Sequence, residues 1–156
     1  LIVTNKMYVL KQQQLEHIIS VEIPENAKEI GEAIAMGDLR ENAEYKAARE
    51  KQAQLNTTVT KLQEEIDRAQ IFDPTTITTA RVSFGTTVTL KNNKTNENEE
   101  FTILGPWESD PENKIISYMS PFGNAILNSK EGDALTFEIN EREFAYTVVK
   151  IKAATF

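Results

Sequence analysis

The sequence predicts an α+β chain. An N-terminal antiparallel helical hairpin, a two-stranded coiled coil, is followed by a C-terminal antiparallel β domain with one short helix. Three observations carry this. Apolar residues recur at helical spacing before "FDPTT", residues 72–76, and alternate after it. A Gly-Asp turn signal at Gly37–Asp38 divides the helical part in two. The two helical stretches each carry an apolar stripe, and two striped helices joined by a short turn must run antiparallel to cover each other.

In chain order, the first stretch spans roughly residues 8–35, with Leu15, Ile19, Ile23, Ala27, Ile30 and Ile34 as its stripe. Pro24 lies inside it and removes one backbone donor, so a kink or restart is expected there. The second stretch spans roughly 39–70. Leu55, Val59, Leu62, Ile66 and Ala69 form a heptad seam that extends back through Gln52 and Ala48 to Tyr45. A helix of about 28 residues is about 42 Å long. Strands are expected at "ARVSF", "TTVTLK", "EEFTILG", "KIISYM", "ALTFEI" and "EFAYTVVKIK", with a short helix near "GNAILNS". The division is therefore 1–74 for the hairpin, with its turn near 37–44, and 75–156 for the β domain.

Composition narrows the chemistry. There is no cysteine, which excludes disulfides, thiol catalysis and thiolate metal sites. A single histidine, His17, excludes a multi-histidine site. A formal net charge of −7 argues against broad attachment to nucleic acid. No apolar run is long enough for a membrane span, and the opening residues do not make a signal peptide, so a cytoplasmic protein without membrane attachment is expected. The chain opens on Leu1 rather than methionine, as a fragment or a processed product would.

The stretch "MGDLRENAEYKAARE", residues 36–50, places Asp38, Glu41 and Glu44 at the hairpin turn. Spacing alone is explained by capping. Asp38 would be the N-cap of the second helix, with Glu41 at N3 to complete a capping box. Glu44 would add favourable negative charge to the first turn. The same geometry also presents a pair of hard oxygen ligands suited to Mg²⁺. Two carboxylates alone do not hold that ion strongly, so the turn would complete a site whose other ligands come from a partner.

"GDLRENAEYKAARE", residues 37–50, resembles the tip motif of the Gre family of bacterial transcript-cleavage factors. Leu39 favours the A type over the B type. "FGTTVTL" is similar to the family's first C-terminal strand, and "SPFGNAILNSKEGD" to its C-terminal signature. Pro24 falls where the family has a proline. The resemblance covers almost the whole chain. It implies a C-terminal domain of FKBP-like architecture and a monomer that binds bacterial RNA polymerase. The globular domain would dock at the rim of the secondary channel, with the coiled coil threaded toward the active centre. Asp38 and Glu41 match the two tip acids that help hold the second Mg²⁺ and orient the attacking water. No cofactor is then bound by the chain alone; the Mg²⁺ is shared with the polymerase. Arg49 and Tyr45 match positions near the nascent RNA 3′ end, and Ser120, Pro121 and Gly123 a loop implicated in polymerase contact. The chain would be an accessory factor rather than an enzyme, since the nuclease centre belongs to the polymerase.

Several positions depart from the pattern. Ile34 stands where the family often has an arginine, Glu22–Ile23 replace a common Arg-Arg, and Asn124 and Asn128 replace an arginine and a glycine. Two other functions share the architecture: a secondary-channel inhibitor that does not promote cleavage, and, from another class, a peptidyl-prolyl isomerase. Trp107 is expected as a lid over the β core, and His17 as a solvated helix residue.

Overall fold

The computed structural model describes residues 1–38 and 42–156. They form two compact units, Tyr8–Ala69, and Leu1–Met7 together with Gln70–Phe156.

The helical unit is a hairpin. Its first arm comprises α1 (Asn5–His17), a π-helical turn (Ile18–Glu22) and α2 (Ile23–Ala35); its second arm is α3 (Ala43–Arg68). Pro24 stands at the N-terminus of α2. It has no N–H for the carbonyl of Ser20, so the backbone takes a wider turn. The Ile23 N–H reaches five residues back, to the carbonyl of Ile18, and the Ser20 hydroxyl donates to the Glu16 carbonyl at 2.7 Å. The expected restart at the proline is present.

The buried face of this arm corrects the expected stripe. Helical spacing offers both i+3 and i+4 after Leu15, and the fold buries Ile18 rather than Ile19, one position earlier. Leu15 and Ile18 are buried, and after the turn Asn26 and Ala33 are buried in place of Ala27 and Ile34. Ile19 and Ile34, both assigned to the seam by spacing, are 49% and 51% exposed. The second arm shows no such offset. Tyr45, Ala48, Gln52, Leu55, Val59, Leu62, Ile66 and Ala69 are all buried or half-buried, as the heptads predict. The arms run antiparallel: ascending the first, Lys11 pairs with Glu65 at 3.7 Å, Asn26 with Ala48 at 2.9 Å and Ala33 with Asn42 at 2.7 Å.

The β unit contains a five-stranded sheet ordered β5-β4-β3-β7-β6, from β3 (Thr86–Asn92), β4 (Asn98–Leu104), β5 (Ile115–Ser117), β6 (Ala134–Ile139) and β7 (Arg142–Ala153). Four strands are antiparallel as expected, while β5 joins β4 in parallel. The β6–β7 hairpin turns at Asn140 and Glu141, both with positive φ, which matches the right-handed strand twist. A short helix, α4 (Pro121–Ile126), begins slightly earlier than "GNAILNS" suggests. Val82, Val88, Leu90, Ile103, Ile126, Tyr146, Val148 and Ile151 form the core.

"ARVSF" is not a strand. Val82 is fully buried, but its N–H donates to Ser129 and its carbonyl accepts from Asn128, so a loop satisfies it. A two-residue parallel pair, β1 (Ile2–Val3) with β2 (Gln70–Ile71), was too short to leave a sequence signal. The first residues are held in this unit by the Ile2 N–H to the Tyr118 hydroxyl and the Thr4 N–H to Glu108 Oε1.

Candidate functional site

The closed end of the hairpin is built from its two helix termini. Met36 ends α2, its N–H accepted by the carbonyls of Ala33 and Ile34. Gly37 follows at φ +120°, a conformation a side chain would strain, and it leads the chain out of the helix. Asp38 is exposed. Leu39, Arg40 and Glu41 lie outside the described residues, so the predicted Asp38–Glu41 pair is seen through Asp38.

The cap of α3 corrects the expected capping box. The N-cap is Asn42, whose Oδ1 accepts the Tyr45 N–H at 3.0 Å, rather than Asp38. Asparagine and aspartate cap about equally well, so local sequence offers two candidates four residues apart. A tertiary contact chooses between them: Asn42 Nδ2 donates to the carbonyl of Ala33, near the end of the other arm, at 2.7 Å. Asn42 was missed by spacing arguments because the acids drew attention to Asp38; the signal available was an asparagine immediately before "AEY".

Among the described residues, Asp38, Glu44, Met36, Asn42 and Ala43 border one groove of about 390 Å³. Among the described residues no three of His, Asp, Glu or Cys converge on a metal-sized site. Two carboxylates on an open groove suit a hard cation that keeps most of its waters and takes further ligands from elsewhere, rather than an ion enclosed by this chain. Of the two residues assigned to RNA, Arg49 is exposed and hydrogen-bonded along the helix to Gln52 at 2.8 Å. Tyr45 is half-buried on the seam side of α3.

The second candidate region is the loop leading into α4. Ser120 caps that helix: its Oγ accepts the Gly123 N–H at 3.1 Å and donates to the Ser117 carbonyl at 2.7 Å. Pro121 occupies the first turn, where its missing N–H costs nothing, and is exposed. Gly123 is buried, and a Cβ there would overlap the Ser117 carbonyl oxygen. Ser120 and Gly123 thus shape the loop that presents Pro121 and the neighbouring Met119, which is 61% exposed. Asn128, standing at a glycine of the family signature, has φ +66°, a left-handed conformation that asparagine tolerates better than most residues. Trp107 is half-buried and His17 exposed.

Comparison with known proteins gives these features a family. Residues 1–71 match "Transcription elongation factor, N-terminal", and residues 77–153 match "Transcription elongation factor, GreA/GreB, C-term". Transcription elongation factor GreA of Treponema pallidum is 58% identical over 154 residues, covering 99% of this chain and 95% of that protein. The GreA of Borreliella burgdorferi is 49% identical over 146 residues, 94% of this chain but 16% of that protein's length. A crystal structure of GreA factor homolog 1 from Thermus thermophilus aligns over 98% of this chain and 99% of its own, with a TM-score of 0.44 and 23% identity. The chain belongs to the GreA/GreB family of transcription elongation factors, on the side of the GreA type.

Proposed function

We propose that this elongation factor binds bacterial RNA polymerase through the secondary channel and stimulates the polymerase's own hydrolysis of backtracked RNA. In this reading the hairpin turn enters the channel while Ser120, Pro121 and Gly123 form the docking loop. The observation that carries it is the placement of exposed Asp38 at the closed end of the hairpin, on an open groove shared with Glu44. The N-cap of α3 is Asn42, not Asp38.

Electrostatics supports a cation between the turn and its target. An acidic turn on a chain of net charge −7 is repelled by RNA phosphates unless a positive ion stands between them. Asp38 and Glu41 would supply oxygen ligands to an Mg²⁺ whose other ligands belong to the polymerase and the RNA. When bound, that ion lowers the pKa of water and stabilises the charge that develops at the phosphorus. Asp38 and Glu41 would also orient the attacking water by accepting its hydrogens. Arg49 would offset phosphate charge, and Tyr45 would stand near the RNA end. No reacting group of this chain enters the chemistry, which is why it acts as an accessory factor.

The test is RNA shortening in a backtracked elongation complex. Asp38→Asn and Glu41→Gln are nearly isosteric and remove charge. Each should lower the cleavage rate by roughly two orders of magnitude, a loss in the range expected when one preorganised electrostatic group is removed. Full activity in both variants would refute the ligand role. A wild-type chain that occupies the polymerase yet never shortens RNA would instead indicate the channel inhibitor. Turnover of a proline peptide would instead indicate the isomerase; in the β unit Phe122 of α4 packs among aromatic rings, 5.0 Å from Phe101, 5.5 Å from Phe137 and 5.8 Å from Phe144.

A further inference from the structure

We infer that Asn42 is a positioning residue for the acidic turn, and that its amide does two separate jobs. This rests on the reading of Asp38 and Glu41 as the working acids. The oxygen caps α3 through the Tyr45 N–H at 3.0 Å, and the nitrogen ties the turn to α2 through the Ala33 carbonyl at 2.7 Å. The carbonyl of Ala33 also accepts the Met36 N–H at 3.2 Å. One buried oxygen therefore closes the last turn of the first arm and receives the first residue of the second.

The tie bridges nine residues of chain, and the acids lie between its ends. Asp38 is four positions from Asn42 and Glu41 adjacent to it, while Asp38, Asn42 and Glu44 border the same groove. Without the tie, this link between the ends of the two arms is lost. Asparagine fits both jobs in a way that other capping residues do not. Serine caps well but has no amide to reach Ala33, and aspartate caps well but has no donor. Capping and tying can therefore be separated by substitution. The two acids must present their oxygens to one ion, and displacements of about 1 Å are costly at such sites. A device that fixes the span between the arms matters to them more than helix stability does.

Asn42→Ser in the full chain is the test. In the free protein, hydrogen exchange should accelerate on the order of tenfold at the Gly37 amide, the loss expected for one hydrogen bond, while Tyr45 and Lys46 keep wild-type protection. In the backtracked complex the maximal cleavage rate should fall roughly tenfold to a hundredfold. The factor concentration for half-maximal effect should stay unchanged, because docking is untouched. In an Asp38→Asn background the further loss should nearly vanish, which a general weakening of the hairpin would not produce. Asn42→Asp, which caps without donating, should reproduce the faster exchange at Gly37. Wild-type exchange at Gly37 in both variants would overturn the tie. An active wild type with an equally active Asn42→Ser would overturn the positioning role alone. A wild type that shortens no RNA would overturn the proposed function and the positioning role with it.

Discussion

Asn26→Asp changes one atom of the hairpin seam and has a calculable cost. Asn26 is 2% exposed and its Nδ2 donates to the Ala48 carbonyl of the opposite arm at 2.9 Å. Aspartate has the same size, but as a carboxylate it aims an oxygen at that carbonyl in a buried place. The variant can instead take up a proton and donate the hydrogen bond as a neutral acid, and this alternative sets the ceiling on the penalty. Protonating an aspartate of ordinary pKa costs about 4 kcal/mol at pH 7, falling by about 1.4 kcal/mol per pH unit. Burial raises the folded-state pKa above the unfolded value, so the folded variant binds more protons than the unfolded chain. Its stability relative to wild type should therefore rise as pH falls from 7, with most of the loss recovered near pH 4, where the unfolded group also protonates. Urea unfolding followed by far-ultraviolet circular dichroism reads this, since the helical signal comes mainly from the hairpin. Taking the difference from wild type at each pH removes the other carboxylates. Asn26→Leu, uncharged, should give a difference that is flat with pH. A penalty in Asn26→Asp that does not depend on pH, or no penalty at all, would refute the hydrogen bond to Ala48.

Three other outcomes follow from the β unit. Gly123→Ala should destabilise it by about 2 kcal/mol or more, because the new methyl overlaps the Ser117 carbonyl; thermal unfolding measures the loss. At Asn128, φ +66°, alanine should cost about 1 kcal/mol and glycine should be neutral or slightly stabilising in the same assay. Burial pushes the Glu108 carboxyl above its ordinary pKa, and its Oε2 is buried without a partner while Oε1 accepts the Thr4 N–H at 2.8 Å. The charged form is therefore the less favourable one in the fold, and Glu108 makes the chain gain stability as pH falls from neutrality toward the ordinary carboxylate range. Glu108→Gln should abolish that gain, which urea unfolding at two pH values will show.

Much of the fold can be read from the residues, and the misses have physical causes. The second arm is legible because its heptads run uninterrupted from Tyr45 to Ala69. The first arm is legible only as far as Leu15, since the expected Ile19 is exposed and Ile18 is buried instead. Pro24 announces a break, but spacing offers both i+3 and i+4 after Leu15, and the choice of Ile18 over Ile19 carries through to Ala33 over Ile34. The strands with clean alternation, such as Phe144, Tyr146 and Val148, are where they were expected. "ARVSF" shows the same alternation, Ala80, Val82 and Phe84, but meets a loop at Ser129 instead of a strand. At the turn, Gly37 is legible because few residues adopt its conformation. The cap is not, because Asp38 and Asn42 are locally equivalent and the Ala33 carbonyl that decides between them is remote in sequence.

These observations imply a gradient along the hairpin. Toward its open end the buried seam is Leu15, Ile18, Leu62 and Ile66; toward the closed end it is Asn26, Ala33 and Ala48. Large side chains contribute about 1.5–3 kcal/mol each on full burial, whereas alanine contributes far less. The closed end therefore takes little of its stability from apolar burial. It relies on two amide side chains that bridge to backbone carbonyls, Asn26 to Ala48 and Asn42 to Ala33. Small residues let the arms approach closely and keep the end thin, and the amides restore the geometry that a thin seam cannot enforce. Hydrogen exchange should follow this order, with amides near Leu62 and Ile66 slowest, those near Ala48 faster, and those at Gly37 and Asp38 fastest. Replacing Ala48 by leucine should break the order by forcing the arms apart, removing the Asn26 bond and lowering protection at the turn. Uniform exchange along α3, or unchanged protection at Gly37 in Ala48→Leu, would show that packing rather than the amides holds the closed end.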